Sequence, residues 1–304
     1  MKNLKKTLKI VMITLLSILL IFVITIGSLN ALKYAIYNEY YSITTEVCKN
    51  PGLNEGAVPQ GVAVSEDEGL ILTTAYMTDK SASRIYLTNS KNESRCILLM
   101  QNGKPFLGHV GGISLSGNLA YIANDHRIYP IDLDDIKTKD KIEIGEGILV
   151  NNQASFTFAD SNYLYVGEFH YGPYVCENKI DDNNAIVTKY SLADLTKPLA
   201  IYSVGDKVQG FCMKPDGTII LSTSWSVSDS KLYVYEKDRI VLSGEYDGVP
   251  LYKLKNPTKV IKAPAMTEDL SYANGKVYTL FESACNKYIF GKLFFAFEIV
   301  GMEI

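Results

Sequence analysis

Residues 207–225, KVQGFCMKPDGTIILSTSW, nearly restate residues 57–76, AVPQGVAVSEDEGLILTTAY. Each runs from a valine or proline through Gln-Gly and an alternating apolar stretch to an acidic-Gly turn. A second apolar stretch follows, then small hydroxyl residues and an aromatic. Alternation of this kind has the period of a strand with one face buried, and the turn residues tolerate the positive φ of a tight connection. Each stretch therefore predicts a β-hairpin.

The phrase returns three more times, with decay: GHVGGISLSGNLAYIAND at 108–125, NQASFTFADSNYLYVGEF at 152–169 and AMTEDLSYANGKVYTLFES at 265–283. A third strand candidate follows four of the hairpins, at 83–89, 126–133, 186–192 and 231–237, and a fourth at 95–101 and 199–205. With Gly61, Gly112, Ser155, Gly210 and Asp269 taken as equivalent, the units recur at 51, 43, 55 and 59 residues. Four short strands at about 40–50 residues per unit is the period of a β-propeller blade. Apart from the N-terminus, no helical periodicity competes. The expected fold is all-β, a five-bladed β-propeller preceded by one N-terminal transmembrane helix. The fifth copy leaves only 35 residues after Asp269, room for three strands. YYSITTEVC at 40–48 is a strand candidate with no blade of its own, so it should complete the fifth blade and close the ring, removing an open sheet edge.

Residues 1–32 read as a cytoplasmic tail and a membrane anchor, 33–56 as a juxtamembrane segment with the ring-closing strand, and 57–304 as the propeller. Lys2, Lys5, Lys6 and Lys9 precede an uncharged run, residues 10–32. The eighteen most apolar residues of that run would span about 27 Å as a helix, close to the hydrocarbon thickness of a bilayer. Four lysines on one flank and no acidic residue before Glu39 predict a cytoplasmic N-terminus and an extracytoplasmic C-terminal domain. A cleaved signal peptide is the rival reading, but its apolar core is usually shorter and a small-x-small cleavage site is missing. Without the four tail lysines the rest of the chain has 26 basic and 33 acidic residues, a net of −7. That balance argues against nucleic acid as a partner. Five cysteines, widely spaced and without a CxxC pair, give no zinc motif.

The Gln-Gly phrase, PDG at 215–217 and LFES at 280–283 resemble those of bacterial extracytoplasmic β-propellers, broadly the YVTN and quinoprotein-like group. The resemblance covers residues 57–304 and implies the fold. It transfers no catalytic residue, because its motifs mark blades.

In a propeller the start of the first strand and the end of the second emerge on one face. The starts are Gln60, Gly111, Ala154, Gln209 and Glu268; the ends are Ala75, Asn124, Glu168, Ser224 and Glu282. His109, Asp125 and His170 adjoin this ring. The expected ligand-binding set is Gln60, His109, Asn124, Glu168, His170, Gln209, Glu268 and Glu282. Convergent polar groups in a concavity bind a polar small molecule, a glycan or a partner protein, although channel water alone can also satisfy them. Glutamates crowded near one axis raise one another's pKa or invite a cation. Glu168, Glu268 and Glu282, with Asn124, offer oxygen ligands of the kind a divalent cation such as Ca2+ takes. A metal-dependent hydrolase, lactonase- or phosphoesterase-like, is thus the alternative function. The loop at 169–185 is long enough to serve as a lid or recognition loop over the mouth, or is a tolerated insertion, and Trp225 and Tyr76 end equivalent strands where they either stack on a ligand or pack between blades. DLDDIKTKDKIE at 132–143 is not an EF-hand, since Ile136 and Lys137 stand where a ligand and a glycine belong.

Overall fold

The computed structural model describes residues 2–65, 67–176, 178–288 and 294–304. They divide into two compact units, Met1–Ser42 and Ile43–Ile304. The first is helical: Lys2–Ile36 and the short Asn38–Ile43. Within it, Lys5–Ile36 is long and apolar enough to cross a membrane, its most apolar 18-residue window having a mean hydropathy of 2.9.

The second unit is a five-bladed β-propeller. Its innermost strands are Ala57–Ser65, Gly112–Ser116, Phe156–Ala159, Val208–Met213 and Thr267–Ala273, one per repeat of the phrase. Each is followed by an antiparallel second strand, and each neighbours the next around the axis, the fifth returning to the first. The apolar cores lie between adjacent blades. Leu72, Ile85 and Ile97 of blade 1 pack with Ile113, Ile122 and Ile131 of blade 2, while Tyr121 and Ile128 meet Leu164 and Tyr190 of blade 3. Blades 3 and 4 meet through aromatics, with Tyr165 stacked on Phe211 at 5.1 Å.

The Gln-Gly of the repeated phrase sits at a β-bulge. Pro59 pairs with Ala75 and Val62 with Thr73, so Gln60 and Gly61 together oppose Thr74 alone. The same irregularity falls between Val208 and Gly210, and between Thr267 and Leu270. A bulge re-aims a side chain and sharpens the local bend, which is why the phrase recurs at the channel end of the strand. Its glycine has a second cause. A Cβ on Gly61 would stand 2.5 Å from Ile113 N, one on Gly112 2.6 Å from Thr157 N, and one on Gly210 2.6 Å from Leu270 N. Each glycine thus lies against the backbone of the next blade. In blade 5 the position is Asp269, whose Oδ2 accepts from Val62 N at 3.4 Å and Ile113 N at 3.2 Å, tying the last blade to the first two. The small hydroxyls of the phrase also knit blades. Thr74 Oγ1 accepts from Gly61 N and donates to Val110 O at 2.8 Å, and Ser222 Oγ donates to Glu268 O at 2.7 Å.

Thr44–Lys49 is the outer strand of blade 5, antiparallel to Glu298–Met302, so the two ends of the unit close the ring in one sheet. The strand starts at Thr44, because residues 38–43 are helical where the sequence reading began it at 40. Other departures explain the uneven spacing. Blade 2 has an outer strand of two residues, Ile148–Leu149, and the chain before it lends Lys141–Glu143 to blade 1 in parallel pairing. A hairpin, Ile240–Tyr246 and Val249–Leu254, leaves blade 4 and adds to the outer edge of blade 3. A short helix, Leu133–Thr138, begins within the acidic run at 132–135; Asp132 caps it by accepting from Asp134 N at 2.8 Å, and Leu133 and Ile136 are buried.

Candidate functional site

The bulges and strand ends surround a cavity of about 530 Å3 at one mouth of the channel. Its wall brings together six residues expected from the sequence: Gln60, His109, Asn124, Gln209, Glu268 and Glu282. Gly111, Ala154 and Asp125 line it too. Ala75 and Ser224 are buried and do not.

Glu168 and His170 lie elsewhere. Glu168 is fully buried beneath the 169–184 loop. Its carboxylate accepts from Gln153 N at 3.3 Å, Asn178 Nδ2 at 2.8 Å and Ile186 N at 3.0 Å. Burial raises its pKa while these donors oppose the rise. The strand does end there, but the loop needs an anchor, and the carboxylate serves as one. Further tethers are Gln153 Nε2 to Val175 O at 2.8 Å, Tyr246 OH to Asn178 Oδ1 at 3.2 Å, and the Lys253–Asp181 ion pair, the last two from the added hairpin. Glu177 of this loop lies outside the described residues. His170 turns to Asp206, with Nδ1 2.7 Å from Oδ1. The trio Glu168, Glu268 and Glu282 is therefore not gathered at one point, and among the described residues no group of three or more His, Cys, Asp and Glu side chains is arranged to hold a metal ion.

Glu268 and Glu282 do meet. Glu268, only 4% exposed, sits at the bulge of blade 5, and Glu282 follows the end of the paired strand. Burial pushes the Glu268 pKa well up, and the charge and hydrogen bond of Glu282 push the same way. Ionising Glu268 therefore opposes folding. With its folded pKa above the unfolded one, the stability it permits is full below the unfolded value and is lost as pH rises through the folded value. Glu268→Gln should flatten this decline and raise the thermal midpoint at neutral pH, as denaturation curves between about pH 4 and pH 8 would register. A midpoint lowered at every pH would refute it.

Around the pair stand groups that the repeat does not encode. Lys287 Nζ donates to Tyr76 OH at 2.6 Å and lies 4.8 Å from the Tyr76 ring and 5.1 Å from that of Tyr288. Burial raises the Tyr76 phenol far above its ordinary range, with Glu282 and Tyr288 adding to the effect. His109 stacks on Tyr76 at 4.6 Å. His109 is exposed at the mouth, and the surrounding protein, with Lys287 nearby, pushes its pKa down. Asn124 spends Oδ1 on Val110 N at 3.0 Å, and Gln60 donates to its neighbour's carbonyl, Pro59 O, at 2.8 Å.

Part of the lining is aromatic. Trp225 stacks on Phe169 at 5.9 Å, and Tyr171 and Tyr174 approach it at 5.0 and 5.6 Å. Phe169, Tyr174 and Trp225 line the cavity. Chemically the mouth joins an aromatic cluster, its rings packed at mixed angles, to a wall of carboxamides, two carboxyls, tyrosines and an ammonium.

No family model matches the chain, and no curated protein does. Some solved structures are similar to it over most of its length. The PQQ-bound aldose sugar dehydrogenase of Streptomyces coelicolor is 15% identical, with a TM-score of 0.46 over 79% of this chain and 77% of that one. A putative gluconolactonase is 10% identical, with a TM-score of 0.43 over 86% and 91%. A chain of a nidogen/laminin complex is 13% identical, with a TM-score of 0.43 over 74% and 73%. At such identities the likeness carries nothing about ligands.

Proposed function

We propose that the protein is a membrane-anchored, extracytoplasmic binding protein whose channel mouth holds a polar, hydroxyl-rich small molecule of the saccharide class. The observation that carries this reading is that the Trp225–Phe169–Tyr174 cluster and the polar residues Gln60, Gln209, Glu268 and Glu282 line one cavity. Sugar rings present apolar C–H faces that stack on aromatics and hydroxyls that pair with amides and carboxyls. The orientation follows from the four N-terminal lysines beside an apolar helix.

Binding is favoured over hydrolysis by the carboxyl pair. Glycoside hydrolases hold their two carboxyls about 5 Å or more apart, so that the sugar or a water fits between them. Burial and the neighbouring Glu282 together push the Glu268 pKa well up, as expected of two carboxyls crowded against each other.

Trp225 is the chain's single tryptophan, so its fluorescence reports on this cavity. The full chain in nanodiscs should show saturable quenching or a spectral shift of Trp225 with neutral monosaccharides. Trp225→Ala should weaken the same binding in calorimetry by about 2 kcal/mol, roughly thirtyfold, the loss expected when a central aromatic anchor is truncated. A panel of saccharides that leaves the fluorescence unchanged would refute the reading.

A further inference from the structure

Trp225 borders two cavities, the mouth and a second of about 390 Å3 in the cleft between blades 3 and 4. One side of the cleft is Asp206, which follows the fourth strand of blade 3, Asp194–Val204. The other side belongs to blade 4. Trp225 follows its second strand, Ile219–Thr223, and Tyr233 and Tyr235 stand on its third, Ser230–Tyr235. Two residues apart on a strand, these tyrosines project from the same face. Lys207, also in the lining, precedes the inner strand that pairs with Ile219–Thr223. The cleft therefore opens at the same end of the propeller as the mouth.

Aromatic side chains line both cavities, and Trp225 is the wall they share: Phe169 and Tyr174 flank it in the mouth, Tyr233 and Tyr235 in the cleft. Contacts around the boundary hold that wall in place. Asp206 Oδ1 accepts from Asn184 Nδ2 at 3.0 Å and lies 2.7 Å from His170 Nδ1, so both ends of the 170–184 loop are tied to the edge of the cleft. Lys207 Nζ lies 4.2 Å from the centre of the Tyr171 ring, which packs on Trp225 at 5.0 Å. Walls fixed before binding lose little freedom when a ligand arrives. In the lining Asp206 and Asp229 are matched by Lys207 and Lys231, a balance that favours a neutral ligand. Ser228, Tyr233 and Tyr235 add hydroxyls, the partners that sugar hydroxyls take. A single sugar ring on the aromatic cluster of the mouth leaves this second surface unused, whereas a ring joined to it would meet the same chemistry again.

We propose that the ligand is a neutral oligosaccharide, one unit of which occupies the mouth while the next crosses the edge of Trp225 into the cleft between blades 3 and 4. The inference rests on the saccharide reading and deepens it, from a single sugar to a chain of at least two. Its physical content is a division of labour. Residues of the mouth act on every saccharide, and Ser228, Tyr233 and Tyr235 act only on those long enough to reach them.

The test uses the full chain in nanodiscs, with glucose, maltotriose and cellotriose as probes in calorimetry. At least one trisaccharide should bind about tenfold or more tightly than glucose, the gain expected from one further aromatic contact. Tyr233→Ala should remove most of that advantage and leave the affinity for glucose unchanged. Ser228 is exposed, so Ser228→Tyr fills the cleft without touching the core. It should bring the trisaccharide down to the level of glucose, again with glucose itself unaffected. Trisaccharides that bind no more tightly than glucose would overturn the second unit while leaving a saccharide site. So would an advantage that survives Ser228→Tyr, or variants that weaken glucose as much as the longer sugars. If none of the three sugars binds, the saccharide reading fails and this proposal fails with it.

Discussion

Gly210→Val is expected to lower the thermal midpoint of the propeller by about 10 °C or more. The new Cβ would stand 2.6 Å from Leu270 N and 2.8 Å from Asp269 C and Cα, all backbone atoms of the next blade's inner strand. A flexible side chain can swing aside, but here the strand itself must move. That strand carries Asp269, which holds blade 5 to blades 1 and 2. Overpacking that backbone cannot relieve costs about 3 kcal/mol or more. In a domain of this size each kcal/mol moves the midpoint by roughly 2–4 °C. Gly112→Val, 2.6 Å from Thr157 N, should behave alike. Gly205→Ala is the control, since its Cβ would meet only Asn183 Oδ1 at an ordinary 3.7 Å. Differential scanning calorimetry ranks the three. Equal midpoints for Gly210→Val and Gly205→Ala would show that the blades do not rely on this close approach.

These glycines show how far the chain could be read. A propeller blade must place one residue at the crowded axis, bend the strand there and return it, so composition at the bulge is narrowly constrained. Gln-Gly, the turn and the hydroxyls are the trace of that constraint, and hence the five blades and six of the cavity's side chains were legible. Glu168 was misplaced because the repeat predicts where a strand ends, and not what an inserted loop will demand of the residue there. Nothing in the repeat foreshadows Lys287 and Tyr288, which come after blade 5's second strand and have no counterparts in other blades. The hairpin at 240–254 falls outside the repeated phrase, and only three-dimensional packing shows that it belongs to blade 3. Residues obeying the period were found, and residues answering to local packing were not.

Deleting Thr44–Lys49 from the full chain should abolish cooperative unfolding of the propeller. The strand pairs along its length with Glu298–Met302, where Ile299, Val300, Gly301 and Met302 are buried. Cys48 packs with Val62 of blade 1 and with Leu280 and Ile299 of blade 5. The flanking residues add to the closure: Asn50 N donates to Phe297 O at 2.8 Å, Asn50 Nδ2 to Phe281 O at 3.2 Å, and Glu303 N to Ile43 O at 3.0 Å. Loss of the strand would expose a long apolar edge and unlatch blade 5 from blade 1 together. Net stabilities of folded domains are on the order of 5–15 kcal/mol, so losing several strand hydrogen bonds and a buried cluster consumes most of it. Hydrogen exchange should locate the effect. Protection should fall first at 267–281 and 298–302, and later in blade 3, which is remote from the junction. Cys48→Asp, which buries a charge in the same cluster without removing backbone pairing, should produce a weaker version of the same pattern. A deletion variant that melts cooperatively at the parent midpoint would mean that the ring holds without its latch. In that case the five inner strands, with Asp269 bridging the last blade to the first two, would be sufficient closure by themselves.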